Sequence, residues 1–254
     1  MDTDEITPLV IAFNEGPNLG RCLERLKWAR RIVVMDSGST DDTLAICARF
    51  PSVEVHHRPF DSFAGQCNAG LERIWTPWVL SLDSDYLMPT GFPEEISGLG
   101  GLEHGYRAGF RYCVYGRPLR SCLYPPRTVL YRRAGACYED DGHGHRVVVP
   151  GSVGELKSVI DHDDCKPLAR WLASQRKYAE QEAEKLLAQT GALPVADRIR
   201  KRIWLAPGLV FFYTLFWKRA ALDGWPGFFY VLQRTYFELL LSLELLDRRL
   251  RGRK

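Results

Sequence analysis

Four short apolar runs, Ile6 to Phe13, Arg31 to Met35, Val53 to His57 and Trp78 to Leu82, alternate with segments of helical pattern near Leu19 to Leu26, Asp41 to Phe50 and Phe63 to Ile74. Apolar runs of strand length separated by amphipathic segments are the mark of β-α-β units, and so of an α/β fold with a mostly parallel sheet. The last run is the most informative. Leu80-Ser81-Leu82 stops abruptly at Asp83-Ser84-Asp85, two carboxylates one residue apart. Sheets of this kind bind ligands beyond the carboxyl ends of their strands, and two anionic oxygen groups there suit a hard divalent cation carrying a diphosphate.

The first run ends in Phe13-Asn14-Glu15-Gly16 and the second in Asp36-Ser37-Gly38-Ser39-Thr40-Asp41-Asp42. If the strands are parallel, both ends open on one edge, which predicts that Asn14, Asp36 and Asp83 lie near one another. Asp36 can accept the imide N–H of a uracil or bind a ribose hydroxyl, while Ser37 to Thr40 form a turn before a helix amino terminus. Ser39, with Asp42 three residues on, predicts a capping box for that helix. Either motif alone has a plain structural explanation, since Ser, Gly and Asp serve any strand-to-helix connection; the pair, each at a strand end, is more specific.

In their order and density, Pro8 to Glu15, Val33 to Asp41, Phe63 to Gly70 and Leu82 to Asp85 resemble family 2 glycosyltransferases of GT-A fold, in the branch of the lipopolysaccharide-core β-glucosyltransferases. The resemblance implies an inverting transfer from a nucleotide-diphosphate sugar, of which a UDP-sugar is the first expectation. It implies Asp36 on the base, Asp83 and Asp85 on ribose and metal-diphosphate, and Mg²⁺ or Mn²⁺ as the ion, a Lewis acid for the leaving group. The donor-binding set is then Phe13, Asn14, Glu15, Asp36, Gln66, Asn68, Asp83 and Ser84. Family members often carry a further acid after the second one, where this chain has Tyr86.

An inverting transfer also needs a base for the acceptor hydroxyl, and relatives use a carboxylate of the second half. The candidate segment is Tyr138 to Arg146, in which Asp141 is favoured by position, Asp140 is the alternative, and His143 or His145 orients the base or replaces it. A solvated polar loop is the plain alternative, and a metal site built from the two histidines and two acids a less favoured one. His162 lies near the end of the last expected strand, where the resemblance puts a histidine near the diphosphate or metal. Arg107, Arg111, Arg117, Arg120 and Arg127 recur through a middle segment that reads as irregular and loop-rich, with short strands only around Gly109 to Val114 and Thr128 to Arg132. Some of these arginines are expected to fork onto acceptor phosphates.

The texture changes at Lys166, which divides the chain into a glycosyltransferase domain, 1–165, and a helical region, 166–254. Pro167 to Gln189 reads as one long helix. Ile203 to Trp217 and Phe228 to Leu246 are apolar but fall short of the ~20 predominantly apolar residues of a membrane span. Trp204, Trp217 and Trp225 near their ends, with Lys201, Arg202, Lys218 and Arg219 flanking the first, suit a segment lying in a membrane interface; a buried helical hairpin is the alternative.

Seven cysteines, none in a C-x-x-C pair, argue against a disulfide framework and a zinc site and for a reducing compartment. A net charge of +3 without a concentrated basic face argues against nucleic acid as a partner. The acidic start, Met1 to Glu5, leads straight into a strand with no secretory pattern. The expectation is a peripheral enzyme on the cytoplasmic face of the inner membrane, with a nucleotide-sugar donor, a glycolipid or polyprenyl-linked acceptor and the membrane surface as partners. Two other readings stay open: a sugar nucleotidyltransferase, although Asn14 to Asn18 lacks a glycine-rich phosphate loop, and a noncatalytic, membrane-associated nucleotide-sugar-binding protein.

Overall fold

The structure is a computed structural model and describes residues 1–141, 144–189, 191 and 193–252. It divides into two compact units, Met1–Gly116 with Tyr124–Cys165, and Arg117–Leu123 with Lys166–Lys254.

The first unit opens with β1 (Ile6–Ala12), α1 (Leu19–Glu24), β2 (Ile32–Asp36), α2 (Thr43–Cys47), β3 (Val53–His57), α3 (Phe63–Leu71) and β4 (Trp78–Asp83). Next come β5 (Tyr86–Leu87), α4 (Phe92–Ser97), β6 (Gly105–Val114), β7 (Arg127–Arg132), β8 (Cys137–Asp141), β9 (Gly144–Val148) and β10 (Val153–His162). One sheet runs in the order β3-β2-β1-β4-β7-β6-β10-β5, and β8 and β9 form a separate hairpin. The strands β1 to β4 are mutually parallel where they pair. The antiparallel strand β7 then inserts between β4 and β6, which makes the sheet mixed.

Strand β2 is buried along its whole length and β1 nearly so, as expected of strands covered on both faces. Leu9, Val33 and Met35 meet Ala64, Cys67, Leu71 and Ile74 from α3 and the turn after it, each large side chain contributing about 1.5–3 kcal/mol by leaving water. Helix α3 approaches so closely at Gly70 that a Cβ there would meet Leu9 Cδ1 at 2.4 Å. A methyl group has no room at that position.

Two expectations need correction. The middle segment is not irregular: Gly105–Val114, Arg127–Arg132 and Val153–His162 build half of the main sheet. Its arginines and glycines hide the alternation, because Arg107 and Arg111 project outward and pair across strands with Glu155 and Asp161. Helix α2 covers only Thr43–Cys47, and no capping box forms at Ser39. The Ser39 hydroxyl instead donates to Asp36 Oδ1 at 2.5 Å and accepts from Asn14 N at 2.8 Å.

The second unit is helical: α5 (Leu168–Ala188), α6 (Val195–Arg200), α7 (Leu205–Phe212), a wide turn over Tyr213–Trp217, a 3-10 turn over Ala220–Asp223, and α8 (Gly224–Arg251). Ala179, Ala183 and Leu186 of α5 pack on Phe237, Leu241 and Leu245 of α8, all at helical spacing. Beside this seam Arg200 meets Glu238 at 2.6 Å and Glu182 and Asp197 at 3.5 Å, a nearly dry group of one cation and three carboxylates. The apolar segment expected at Ile203 to Trp217 folds as α7 and its turn. Among the described residues no helix is long and apolar enough to cross a membrane.

Candidate active site

Strand register assembles the site. Ala12 pairs with Asp36, and Ile11 with Asp83, so the ends of three strands that lie far apart in sequence form one edge. Chain reversal at Asn14 requires a left-handed residue, φ 55°, a conformation that Asn tolerates better than other side chains. Its carboxamide oxygen accepts from Thr40 N at 2.7 Å and Asp41 N at 3.3 Å, which ties the first loop to the second. Glu15 joins the same lacing, its N–H donating to Thr43 Oγ1 at 2.7 Å. Phe13 lies on this edge, about half exposed.

Asp36 is almost wholly buried. Burial opposes its ionisation, but the Ser39 hydroxyl, the Gly38 and Ser39 N–H groups and His57 outweigh that penalty and hold its carboxyl below the usual range. Gly38 N donates at 2.8 Å, and the φ of Gly38, +98°, is one that side-chain-bearing residues rarely adopt. The result is an anionic turn with its charge fixed in place.

At the end of β4, Ser84 is buried and its hydroxyl donates to the Ile11 carbonyl at 2.7 Å. This bond anchors the link between the two acids, leaving Asp83 and Asp85 partly exposed on either side. His162, from the end of β10, places Nε2 3.2 Å from Asp85 Oδ2. Burial works against an imidazolium there, yet Asp85, then Asp83 and Asp164, raise its pKa above the ordinary value. The ring sits among Tyr86, Tyr112 and Tyr124 with centroids 5.1–5.3 Å away.

The β8–β9 hairpin supplies the facing side. Asn68 on α3 grips it with both ends of its amide: Nδ2 donates to the Tyr138 carbonyl at 3.0 Å and Oδ1 accepts from Tyr138 N at 2.8 Å. Gln66, two residues earlier on α3, donates to the carbonyls of Arg58 and Pro59 at 2.9 and 3.0 Å. Asp140 accepts from Ala64 N at 3.1 Å in the first turn of α3, a favourable place for a carboxylate. Asp141 is exposed at the hairpin end. His143 lies outside the described residues.

Arg127, one of the five arginines of the middle segment, and His145, expected to orient the base or replace it, join these acids. Arg127 stacks its guanidinium over Tyr124 at 4.6 Å. Burial disfavours its charge, but Tyr86, Tyr124, Asp83 and Asp141 together raise its pKa, so a permanent cation acts on acids of both β4 and the hairpin. His145 stacks on Phe63 at 5.8 Å and pairs in register with Asp140. Burial lowers its pKa, Arg127 adds to the fall, and Asp83 and Asp140 offset only part of it. The ring is therefore neutral at neutral pH.

The donors fit a hard divalent cation. Asp83 and Asp85 offer carboxylate oxygens, while among the described residues no group of three or more His, Cys, Asp or Glu side chains could hold an ion unaided. Such an open site matches an ion that takes its remaining ligands from water and substrate phosphates.

Comparison with known proteins agrees with this architecture. The family model for glycosyl transferase family 2 matches residues 9–98, which span β1 to α4. The lipopolysaccharide core biosynthesis glycosyltransferase LpsC of Rhizobium meliloti is 25% identical over 96% of this chain and 92% of its own. An uncharacterized glycosyltransferase of Rickettsia conorii, RC0292, is 30% identical over 89% of this chain and 84% of its own. Among solved structures, S. aureus TarS 1–349 in complex with UDP-GlcNAc superposes with a TM-score of 0.51 at 14% identity, over 85% of this chain and 73% of that one. A parallel half that ends in an anchored Asp-Ser-Asp, an antiparallel half inserted beside it, and relatives aligned along nearly the whole length together place the chain in glycosyltransferase family 2.

Proposed function

We propose that this glycosyltransferase moves a sugar, with inversion, from a UDP-sugar to a lipopolysaccharide-core or other lipid-linked acceptor at the cytoplasmic face of the membrane. The carrying observation is the edge built by the ends of β1, β2 and β4, where Ala12 pairs with Asp36 and Ile11 with Asp83, with the hairpin acid Asp140 held at the amino terminus of α3. LpsC supports the acceptor class by its described role, and TarS, bound to UDP-GlcNAc, supports the donor class.

Asp36 and the loop of Asn14 and Glu15 take the nucleoside, where a carboxylate is already ionised and oriented for N–H and hydroxyl donors. Asp83 and Asp85 would hold the divalent ion, with His162 against Asp85. When bound, the ion supplies charge neutralisation for the departing diphosphate. Arg127, half-buried and charged, favours the same developing charge from the protein side. On the opposite face Asp141 accepts the proton of the acceptor hydroxyl as its oxygen bonds to the anomeric carbon and the bond to the diphosphate breaks. Asp140, tied to the α3 amino terminus, positions the hairpin, and His145 is the neutral neighbour able to take the proton in place of Asp141.

The test is a panel of UDP- and other nucleotide-sugars with and without Mn²⁺, read by thermal stabilisation and then by NMR of the product anomer. One UDP-sugar that stabilises the protein only with metal and yields the inverted anomer is expected. Stabilisation by every nucleotide with no transfer to any lipid-linked acceptor would overturn the reading.

A further inference from the structure

The helical unit carries its apolar residues on the outside as well as in its core. Along α7 and the turn after it, Leu209, Phe212 and Phe216 follow one another at helical spacing and are 50%, 61% and 64% exposed, with Trp217 beside them at 78%. Phe212 and Phe216 stack face to face at 6.2 Å. On α8, Trp225, Phe228, Leu232, Tyr236, Leu239 and Leu243 recur every three or four residues, all exposed. They lie opposite the face that packs through Phe237, Leu241 and Leu245 on α5. A helix apolar on two opposite faces has one face buried by its own fold and one left for another medium.

Charge identifies that medium. Residues 166–254 hold 17 Lys and Arg against 8 Asp and Glu, whereas residues 1–165 hold 17 against 23. Lys218 and Arg219 directly follow the exposed aromatic run, and Arg248, Arg249 and Arg251 close α8. A second copy of so cationic a unit would be repelled across this face. An anionic bilayer would be attracted, and its interface favours the aromatic residues that dominate the belt. The thirteen residues of α7 and its turn, 205–217, are too short to span a hydrocarbon core of ~30 Å.

We propose that the exposed belt of α7 and α8 is a docking surface for an anionic lipid bilayer, entered in-plane by Phe212, Phe216, Trp217 and Trp225 and held by the cations around them. The inference stands on the helical unit alone and does not depend on the transfer reaction. The experiment is co-sedimentation of the full chain, without donor or metal, with vesicles of phosphatidylglycerol and phosphatidylethanolamine and with vesicles of phosphatidylcholine alone. Binding to the anionic vesicles at least tenfold tighter than to the neutral ones, weakening as salt rises, is expected. Phe216→Ser with Trp217→Ser should reduce it at least tenfold, and Lys218→Glu with Arg202→Glu should remove most of the preference for anionic lipid. Arg202, Phe216 and Trp217 are exposed and Lys218 is half-buried, so a thermal melt within a few degrees of the parent accompanies either effect. Equal recovery in the supernatant with both vesicle types would overturn the proposal. So would a concentration-dependent dimer in sedimentation velocity that the Phe216 and Trp217 substitutions abolish, since that result gives the face to a second copy. Donor-binding assays report on the transferase reading separately, because no residue of the belt lies in the donor site.

Discussion

Replacing Asn68 by Ala removes two hydrogen bonds at once, of 3.0 and 2.8 Å, from one peptide unit at Tyr138, a residue only 6% exposed. Each bond contributes about 0.5–1.5 kcal/mol net, and each buried backbone group left without a partner costs about 1–3 kcal/mol. The expected loss is about 2–4 kcal/mol, with partial access of water at the strand edge keeping it from the upper extreme. Asn68→Asp separates the two halves of the grip: its carboxylate still accepts from Tyr138 N but confronts the Tyr138 carbonyl with a second acceptor, and so should cost at least as much as Ala near neutral pH. Because Asp140 and Asp141 follow Tyr138 on the same strand, both variants should also lower kcat with little change in KM for the donor, whose edge lies on β1, β2 and β4. Urea denaturation gives the stability change, and steady-state kinetics with the donor varied gives the split. A variant within 0.5 kcal/mol of the parent, or one whose donor KM rises while kcat holds, would refute the idea that Asn68 acts through the hairpin and would favour direct contact with the donor.

Asp36→Asn should destabilise by about 1–3 kcal/mol at neutral pH, because the turn loses a charged acceptor. Since the folded-state pKa of Asp36 is depressed, its contribution is full above the unfolded value near 4 and is lost as pH falls through the folded value; the gap between parent and variant, followed by denaturation from pH 7 to pH 3, should therefore narrow with acid. Asp85→Asn should abolish the Mn²⁺ dependence of donor binding in calorimetry and leave the melt of the apo protein nearly unchanged, and a variant with full metal-dependent binding would remove Asp85 from the ion. Arg200→Met strips the cation that pairs with Glu182, Asp197 and Glu238 and should cost about 3–5 kcal/mol, read by chemical denaturation of the full chain; a loss below 1 kcal/mol would show that the three carboxylates take up protons or water instead.

The parallel half was legible because β1, β2 and β4 are largely buried and read as nearly uninterrupted apolar runs, with only the edge strand β3 exposed. Val53–His57 begins and ends where its run does, and β1, β2 and β4 each end within one residue of theirs. Helix ends were less legible, since the chain leaves α2 and α3 in loose turns that keep a helical pattern of apolar residues beyond the last helical hydrogen bond. The middle of the chain misled for a different reason. Its strands carry arginines on the outer face whose charge is balanced only across the sheet, by Glu155 and Asp161 some fifty residues away, and a reading along the chain cannot see a partner at that distance.

The same distinction separates what was and was not legible in the site. Asp36, Asp83 and Asp85 end apolar runs, so their place on the edge follows from strand direction alone. Arg127 and His145 owe theirs to the insertion of β7 between β4 and β6 and to the hairpin register that sets His145 opposite Asp140. The first depends on an antiparallel pairing between segments some fifty residues apart, which no local pattern announces, and the second on a hairpin whose register the polar segment Tyr138 to Arg146 does not fix. Burial then gives the two residues their chemistry: it leaves His145 neutral, whereas Arg127 stays charged because two acids and two phenols surround it. A fixed cation acting on carboxylates of two different elements lets the acids approach one another with less mutual repulsion. Arg127 therefore lets the hairpin acids lie near the β4 acids before any substrate arrives.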